Sequence, residues 1–112
     1  MQLELTEHIV RIAVVRPLER VDAFTAPQLR ERLDALSGEG TKYFVIDLSA
    51  TPFMDSAGMA ALVSLLKRAR QAGGEVVLVW PTDEAARRVL HLTKFDRVFP
   101  MFDDVQSAVN HL

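Results

Sequence analysis

The run Tyr43-Phe44-Val45-Ile46-Asp47-Leu48, then Ser49-Ala50-Thr51-Pro52-Phe53-Met54, then Asp55-Ser56-Ala57-Gly58-Met59-Ala60-Ala61-Leu62 is the stretch on which the fold turns. Its first six residues are nearly all apolar, the signature of a central strand buried on both faces. A short loop containing Pro52 follows. From Asp55 or Ser56 onward, Met59, Leu62, Val63, Leu65, Leu66 and Ala69 recur at helical spacing, which predicts a helix to about Ala72. Asp55 and Ser56 are both good N-caps. Lys67, Arg68 and Arg70 sit where cations oppose the C-terminal dipole, and Gly73-Gly74 ends the helix. Glu75-Val76-Val77-Leu78-Val79-Trp80 reads as the next buried strand, so the whole is a strand-helix-strand crossover with parallel strands.

Upstream, Leu3 and Leu5 alternate with polar neighbours, and after Glu7-His8 the run Ile9 to Val15 is rich in β-branched residues. These predict a short edge strand and its hairpin partner. Pro17 interrupts ladder hydrogen bonding and opens a loop to Asp22. Thr25-Ala26-Pro27-Gln28 then carries a helix start, with Thr25 as N-cap and Gln28 completing a capping box. Leu29, Leu33 and Leu36 supply that helix's apolar face, and Ser37-Gly38-Glu39-Gly40 stops it. Downstream, Pro81-Thr82-Asp83-Glu84 opens a third helix with Thr82 as cap and Val89, Leu90 and Leu92 on its apolar face. A weak strand is expected around Val98 to Met101. Asp103 or Asp104 then caps a last helix carrying Val105, Ala108, Val109 and Leu112. The expected order is β-β-α-β-α-β-α-β-α, a single α/β domain over residues 1–112 with a mixed sheet under helical cover.

Composition narrows the function classes. With 49% hydrophobic and 25% charged residues, the 112-residue chain is ordinary for a globular domain with an aliphatic core. Thirteen Lys plus Arg against fifteen Asp plus Glu give a net charge of -2, and with it no general attraction to nucleic acid or to an anionic membrane. Arg87-Arg88 and Lys67-Arg68-Arg70 read as solvated helix faces. The absence of cysteine excludes disulfides and thiolate chemistry. No apolar run approaches the about 20 residues of a membrane-spanning helix, and the N-terminus does not read as a signal peptide. No membrane insertion and a cytoplasmic location are the expectations.

In an open α/β sheet, sites form beyond the carboxyl ends of the strands. The junction from Leu48 to Gly58 concentrates the unusual features there. A helix N-terminus presents unpaired N–H groups and the positive end of its dipole, so it tolerates an anion or a phosphate on Ser56. On residue chemistry alone, the favoured account is that Asp55 or Ser56 is a plain cap and Gly58 an incidental small residue, because such caps are commonplace. Phe53 and Met54 beside the cap have two uses open: anchors for a partner, or a hydrophobic staple folded back onto the core.

Val45-Ile46-Asp47-Leu48-Ser49 followed by Phe53-Met54-Asp55-Ser56-Ala57-Gly58-Met59-Ala60-Ala61-Leu62 resembles the STAS domain family, and within it the bacterial anti-sigma factor antagonists. Arg20-Val21-Asp22-Ala23, Gly73-Gly74 and Leu90-His91-Leu92-Thr93-Lys94-Phe95 fall where that family has similar segments. The resemblance implies a regulatory protein that is not an enzyme and needs no cofactor. Its partners would be an anti-sigma factor with serine kinase activity, which phosphorylates the motif serine from ATP, and a serine phosphatase that resets it. The unphosphorylated form would bind the anti-sigma factor and release the sigma factor. Carried over by position, Ser56 would be the phospho-acceptor, with Asp22, Asp55, Ala57 and Gly58 around it. Asp22, Phe53, Met54, Ala57 and Met59 would form the partner contact. Two departures stand out: Glu19-Arg20-Val21 replaces a segment in which the family often has glycine before its loop aspartate, and Met59 stands where leucine is usual.

Other readings fare worse. Met54-Asp55-Ser56-Ala57-Gly58 lacks the first glycine of a nucleophile elbow, and His8, His91 and His111 offer no suitably placed base. No pair of those histidines has metal-ligand spacing, and no Gly-rich Lys-Ser/Thr phosphate loop is present. The alternative of a different class is a STAS accessory subunit of an ABC-type lipid transporter, which binds its ATPase without being phosphorylated.

Overall fold

A computed structural model describes residues 1–6 and 9–112. Four strands, β1 (Ile12–Val15), β2 (Tyr43–Asp47), β3 (Glu75–Val79) and β4 (Met101–Phe102), alternate with helices α1 (Ala26–Gly38), α2 (Ser56–Gln71), α3 (Glu84–Leu92), α4 (Phe95–Val98) and α5 (Val105–His111). The strands lie in the order β1-β2-β3-β4 and every pairing is parallel, with Tyr43 opposite Ile12 and Glu75. Because each crossover moves one strand in the same direction, right-handed connections place α1, α2 and α3 on one face. α5 follows the last strand and packs on the other.

The apolar runs explain the layering. Phe44, Ile46, Leu48, Val76 and Leu78 face α1 and α2, meeting Leu33, Leu62, Leu65 and Leu66, while Leu90, Phe95 and Phe99 complete that core. Val45, Val77 and Val79 point the opposite way and are covered by Ala108, Val105 and Val109 of α5. A strand covered on both sides cannot alternate polar and apolar residues. β2 and β3 show this directly.

Several local expectations are corrected. Residues 1–6 form no strand, and Leu3 and Leu5 are exposed, so the sheet among the described residues is wholly parallel and not mixed. Two leucines bury too little area to offset the entropy of ordering an edge strand. The hairpin turn expected at Glu7-His8, and His8 itself, lie outside the described residues. Thr25 makes no side-chain cap and no capping box with Gln28, because its hydroxyl is engaged in the loop before α1. Thr82 likewise donates to the Ser49 carbonyl at 2.8 Å, and Asp83 caps α3 by accepting from the Ala86 N–H at 2.9 Å. The strand expected from Val98 begins at Met101. Lys94, at φ 61°, breaks the third helix and starts α4, whose Phe95 and Phe99 turn into the core. Asp104, one of the two candidates, caps α5.

Candidate functional site

The loops leaving β1 and β2 are sewn together by their backbones. Val21 N–H donates to the Phe53 carbonyl at 2.9 Å, and Asp55 N–H donates to the Val21 carbonyl at 3.1 Å, a single parallel bridge pairing Val21 with Met54. That register sets Arg20 beside Phe53 and Asp22 beside Asp55. The Arg20 guanidinium lies 4.9 Å from the Phe53 ring centroid and 3.3 Å from Asp22 Oδ2. Residues that are more than 30 positions apart in sequence thus share one small surface.

Asp55 is the N-cap of α2: its Oδ1 accepts from Ala57 N–H at 2.9 Å and from Gly58 N–H at 3.3 Å. Ser56 is the first helical residue, and it is exposed. The helix end already holds one carboxylate on two of its free donors. A phosphate on Ser56 would therefore compete with Asp55 for those N–H groups, with Asp22 close by. Of the two uses open to the loop's apolar pair, Met54 takes the inward one at 8% exposure and Phe53 the outward one at 41%. Ala57 and Met59 are half-buried, packed against the core.

Gly58 is required by this junction. A Cβ there would sit 2.8 Å from Met54 Cγ, 2.8 Å from Val21 Cγ1 and 3.1 Å from the Val21 carbonyl oxygen. Replacing a helical glycine by alanine ordinarily gains up to about 1 kcal/mol. Here Gly58→Ala is expected to lose roughly 1–3 kcal/mol in urea unfolding, because α2 must retreat from the Val21–Met54 bridge. Unchanged or raised stability would show that the close approach is slack.

Asp22 is held as firmly as Asp55. Its Oδ1 accepts from Phe24 N–H at 2.9 Å and Thr25 N–H at 3.2 Å, while the Thr25 hydroxyl accepts from Asp22 N–H at 2.9 Å and donates to the Arg20 carbonyl at 2.7 Å. Desolvation works to raise the carboxyl's pKa, but these donors and the Arg20 charge outweigh it and hold the group below the ordinary aspartate value. It is an anion at neutral pH. Thr51, buried, donates to the Pro17 carbonyl at 3.0 Å and ties the same two loops a second time. Beside Phe53, a groove of about 190 Å³ runs between the β2–α2 loop and α3, lined by Leu48, Phe53, Met54, Ala86 and Val89.

The structure thus brings Asp22, Phe53, Asp55, Ser56 and Gly58 together. Arg20 and Phe24 join them, and sequence reasoning did not single them out. Aspartate favours an Asx-turn, in which its side chain accepts from the N–H two positions on, and that tendency could have pointed to Phe24. Among the described residues no cluster of three or more His, Cys, Asp or Glu side chains could hold a metal ion. No helix among them is long and apolar enough to cross a membrane.

The chain is thus a parallel α/β sheet carrying a capped Asp-Ser helix start after its second strand. The sequence pattern of the STAS domain matches residues 4–108, and the chain belongs to this family. Several of the proteins it is similar to are named anti-sigma factor antagonists. The anti-sigma F factor antagonist of Paenibacillus polymyxa is 26% identical over 113 residues, covering 100% of this chain and 95% of that protein. The crystal structure of an anti-sigma factor antagonist from Mycobacterium paratuberculosis superposes with a TM-score of 0.80 at 30% identity, covering 96% of this chain and 90% of that one. The Bacillus cell fate determinant SpoIIAA shares the fold in both its unphosphorylated form (TM-score 0.71, 19% identity, 98% and 94% covered) and its phosphorylated form (0.69, 16%, 96% and 96%).

Proposed function

We propose that this chain is an anti-sigma factor antagonist switched by phosphorylation of Ser56. In the unphosphorylated state it binds an anti-sigma factor with serine kinase activity and frees the sigma factor. Phosphorylation ends that contact, and a serine phosphatase restores it. The observation that carries the reading is the exposed Ser56 hydroxyl at the first turn of α2, directly after the Asp55 cap and beside the Asp22 loop. The serine is a substrate of its partner's active site. The chain itself performs no catalysis in this scheme, and its work is done in the cytoplasm, where sigma factors act.

The charge balance supports an off-switch. A phosphate adds about two negative charges at neutral pH. It arrives where Asp55 already occupies the helix N–H groups and Asp22 is ionised, so a partner that closes over Ser56 must desolvate and repel those charges together. Phe53, with Met54 packed beneath it, and Ala57 and Met59 on the first turn of α2 complete the surface the partner covers.

Incubation with ATP and a kinase-type anti-sigma factor from the same cell, followed by peptide mass spectrometry, is expected to place one phosphate on Ser56 and none on the Ser56→Ala chain. Modification elsewhere, or none by any such kinase, would overturn the assignment.

A further inference from the structure

Phe24 is 87% exposed, yet its backbone is fixed. Its N–H is bound to Asp22 Oδ1 at 2.9 Å, and the following residues are locked through the Thr25 hydroxyl and the Ala26 N–H, which donates to the Asp22 carbonyl at 2.7 Å. A single exposed phenylalanine is unremarkable on a protein surface. This one is not isolated. Leu18, at 74%, and Phe53, at 41%, are exposed on the same two loops, which the Val21–Met54 bridge holds beside Ser56. Among the described residues nothing covers the Phe24 ring, and an aromatic on a fixed backbone has only two side-chain torsions to order when a partner buries it.

We propose that Phe24 is the anchor side chain of the surface that meets the anti-sigma factor at Ser56, received in an apolar pocket of that partner, and that Asp22 serves the encounter by positioning this ring. The proposal rests on the phosphoswitch reading above and names a contact within it. Asp22 is then a positioning residue: its carboxylate faces its own loop, with the backbone N–H groups of Phe24 and Thr25 on Oδ1 and Arg20 on Oδ2.

The test combines crosslinking with a double-mutant cycle. Benzoylphenylalanine is placed in the full chain at position 24, at position 53 and, as control, at Gln71 on the far end of α2, and irradiated in cells. Positions 24 and 53 are expected to capture the same kinase-type anti-sigma factor, and position 71 none. With that purified partner, Phe24→Ala is expected to weaken binding roughly tenfold to a hundredfold, and Phe24→Trp to retain it within about threefold. Asp22→Ala should weaken binding in the parent chain and add nothing in the Phe24→Ala background. Undiminished binding of Phe24→Ala, an Asp22→Ala loss that persists without the ring, capture at 53 but not at 24, or capture of a second copy of this chain would each overturn the inference. In those cases Ser56 phosphorylation can still stand. Absence of any anti-sigma factor adduct from both 24 and 53 would overturn the inference and the phosphoswitch reading together.

Discussion

A chain carrying Ser56→Asp is expected to unfold in urea as the parent does and to bind its anti-sigma factor at least roughly a hundredfold more weakly, about 3 kcal/mol by titration calorimetry. The two halves of that expectation come from different features. Ser56 is exposed at the first position of α2, where an added acid is favoured by the helix dipole and opposed by Asp55 and Asp22, so stability moves by no more than about 0.5 kcal/mol. Binding responds differently because the partner's approach removes the water that screens those carboxylates. A dissociation constant within threefold of the parent would rule out charge as the basis of the switch. Ser56→Ala is the matched control and should bind as the parent does.

The largest effect on folding is expected at Gly74. An alanine Cβ there would lie 1.8 Å from the Lys42 carbonyl oxygen and 2.5 Å from its carbon. That carbonyl accepts from Glu75 N–H at 3.0 Å, at the very start of the β2–β3 pairing. No side-chain rotation relieves the contact, since both groups are backbone, and the two central strands must part at that end. Gly74→Ala is expected to cost upward of about 3 kcal/mol and to lower Tm by on the order of 10–20 °C. Gly73 is the internal control: its φ of +83° disfavours other residues, but the nearest atom to a Cβ is Lys42 Nζ at 4.0 Å. Its alanine variant should lose about 1 kcal/mol. Equal losses at the two glycines would refute the steric account.

The central part of the fold was legible because its signals are local and strong. β2 and β3 are nearly continuous apolar runs, and α2 carries its cap, its apolar stripe and its terminating glycines within one stretch. What failed was decided by contacts or turns that the local pattern does not announce. Thr25 and Thr82 have the right chemistry for caps, but the Thr25 hydroxyl is spent within its own loop on the Arg20 carbonyl, and the Thr82 hydroxyl on the Ser49 carbonyl of another. The short helix of Phe95–Val98 arises because Lys94 turns left-handed and sends Phe95 and Phe99 into the core, which no periodicity in so brief a segment announces. The N-terminal strand was inferred from alternation of two leucines, a pattern too short to specify pairing.

The candidate site divides in the same way. Asp55, Ser56 and Gly58 were readable as a helix start, although the reason for Gly58 was not: it makes room for Val21 and Met54, and no local rule connects those residues. Asp22 entered through family resemblance, and its role in holding Phe24 is visible only in three dimensions. Burial separated Phe53 from Met54, which the sequence left as a pair.

The Val21–Met54 bridge is made of main-chain amides and carbonyls, which every residue except proline supplies at those positions. The geometry that places the aspartate loop against the serine therefore does not depend on which side chains decorate it. Arg20, Ala23, Phe24 and Phe53 can be exchanged without moving Ser56, provided Val21, Met54 and Gly58 keep their sizes. Under the proposed phosphoswitch, a duplicated copy of this gene could thus be re-addressed to a new partner by a few surface substitutions, inheriting the switch geometry and rewriting only who answers to it.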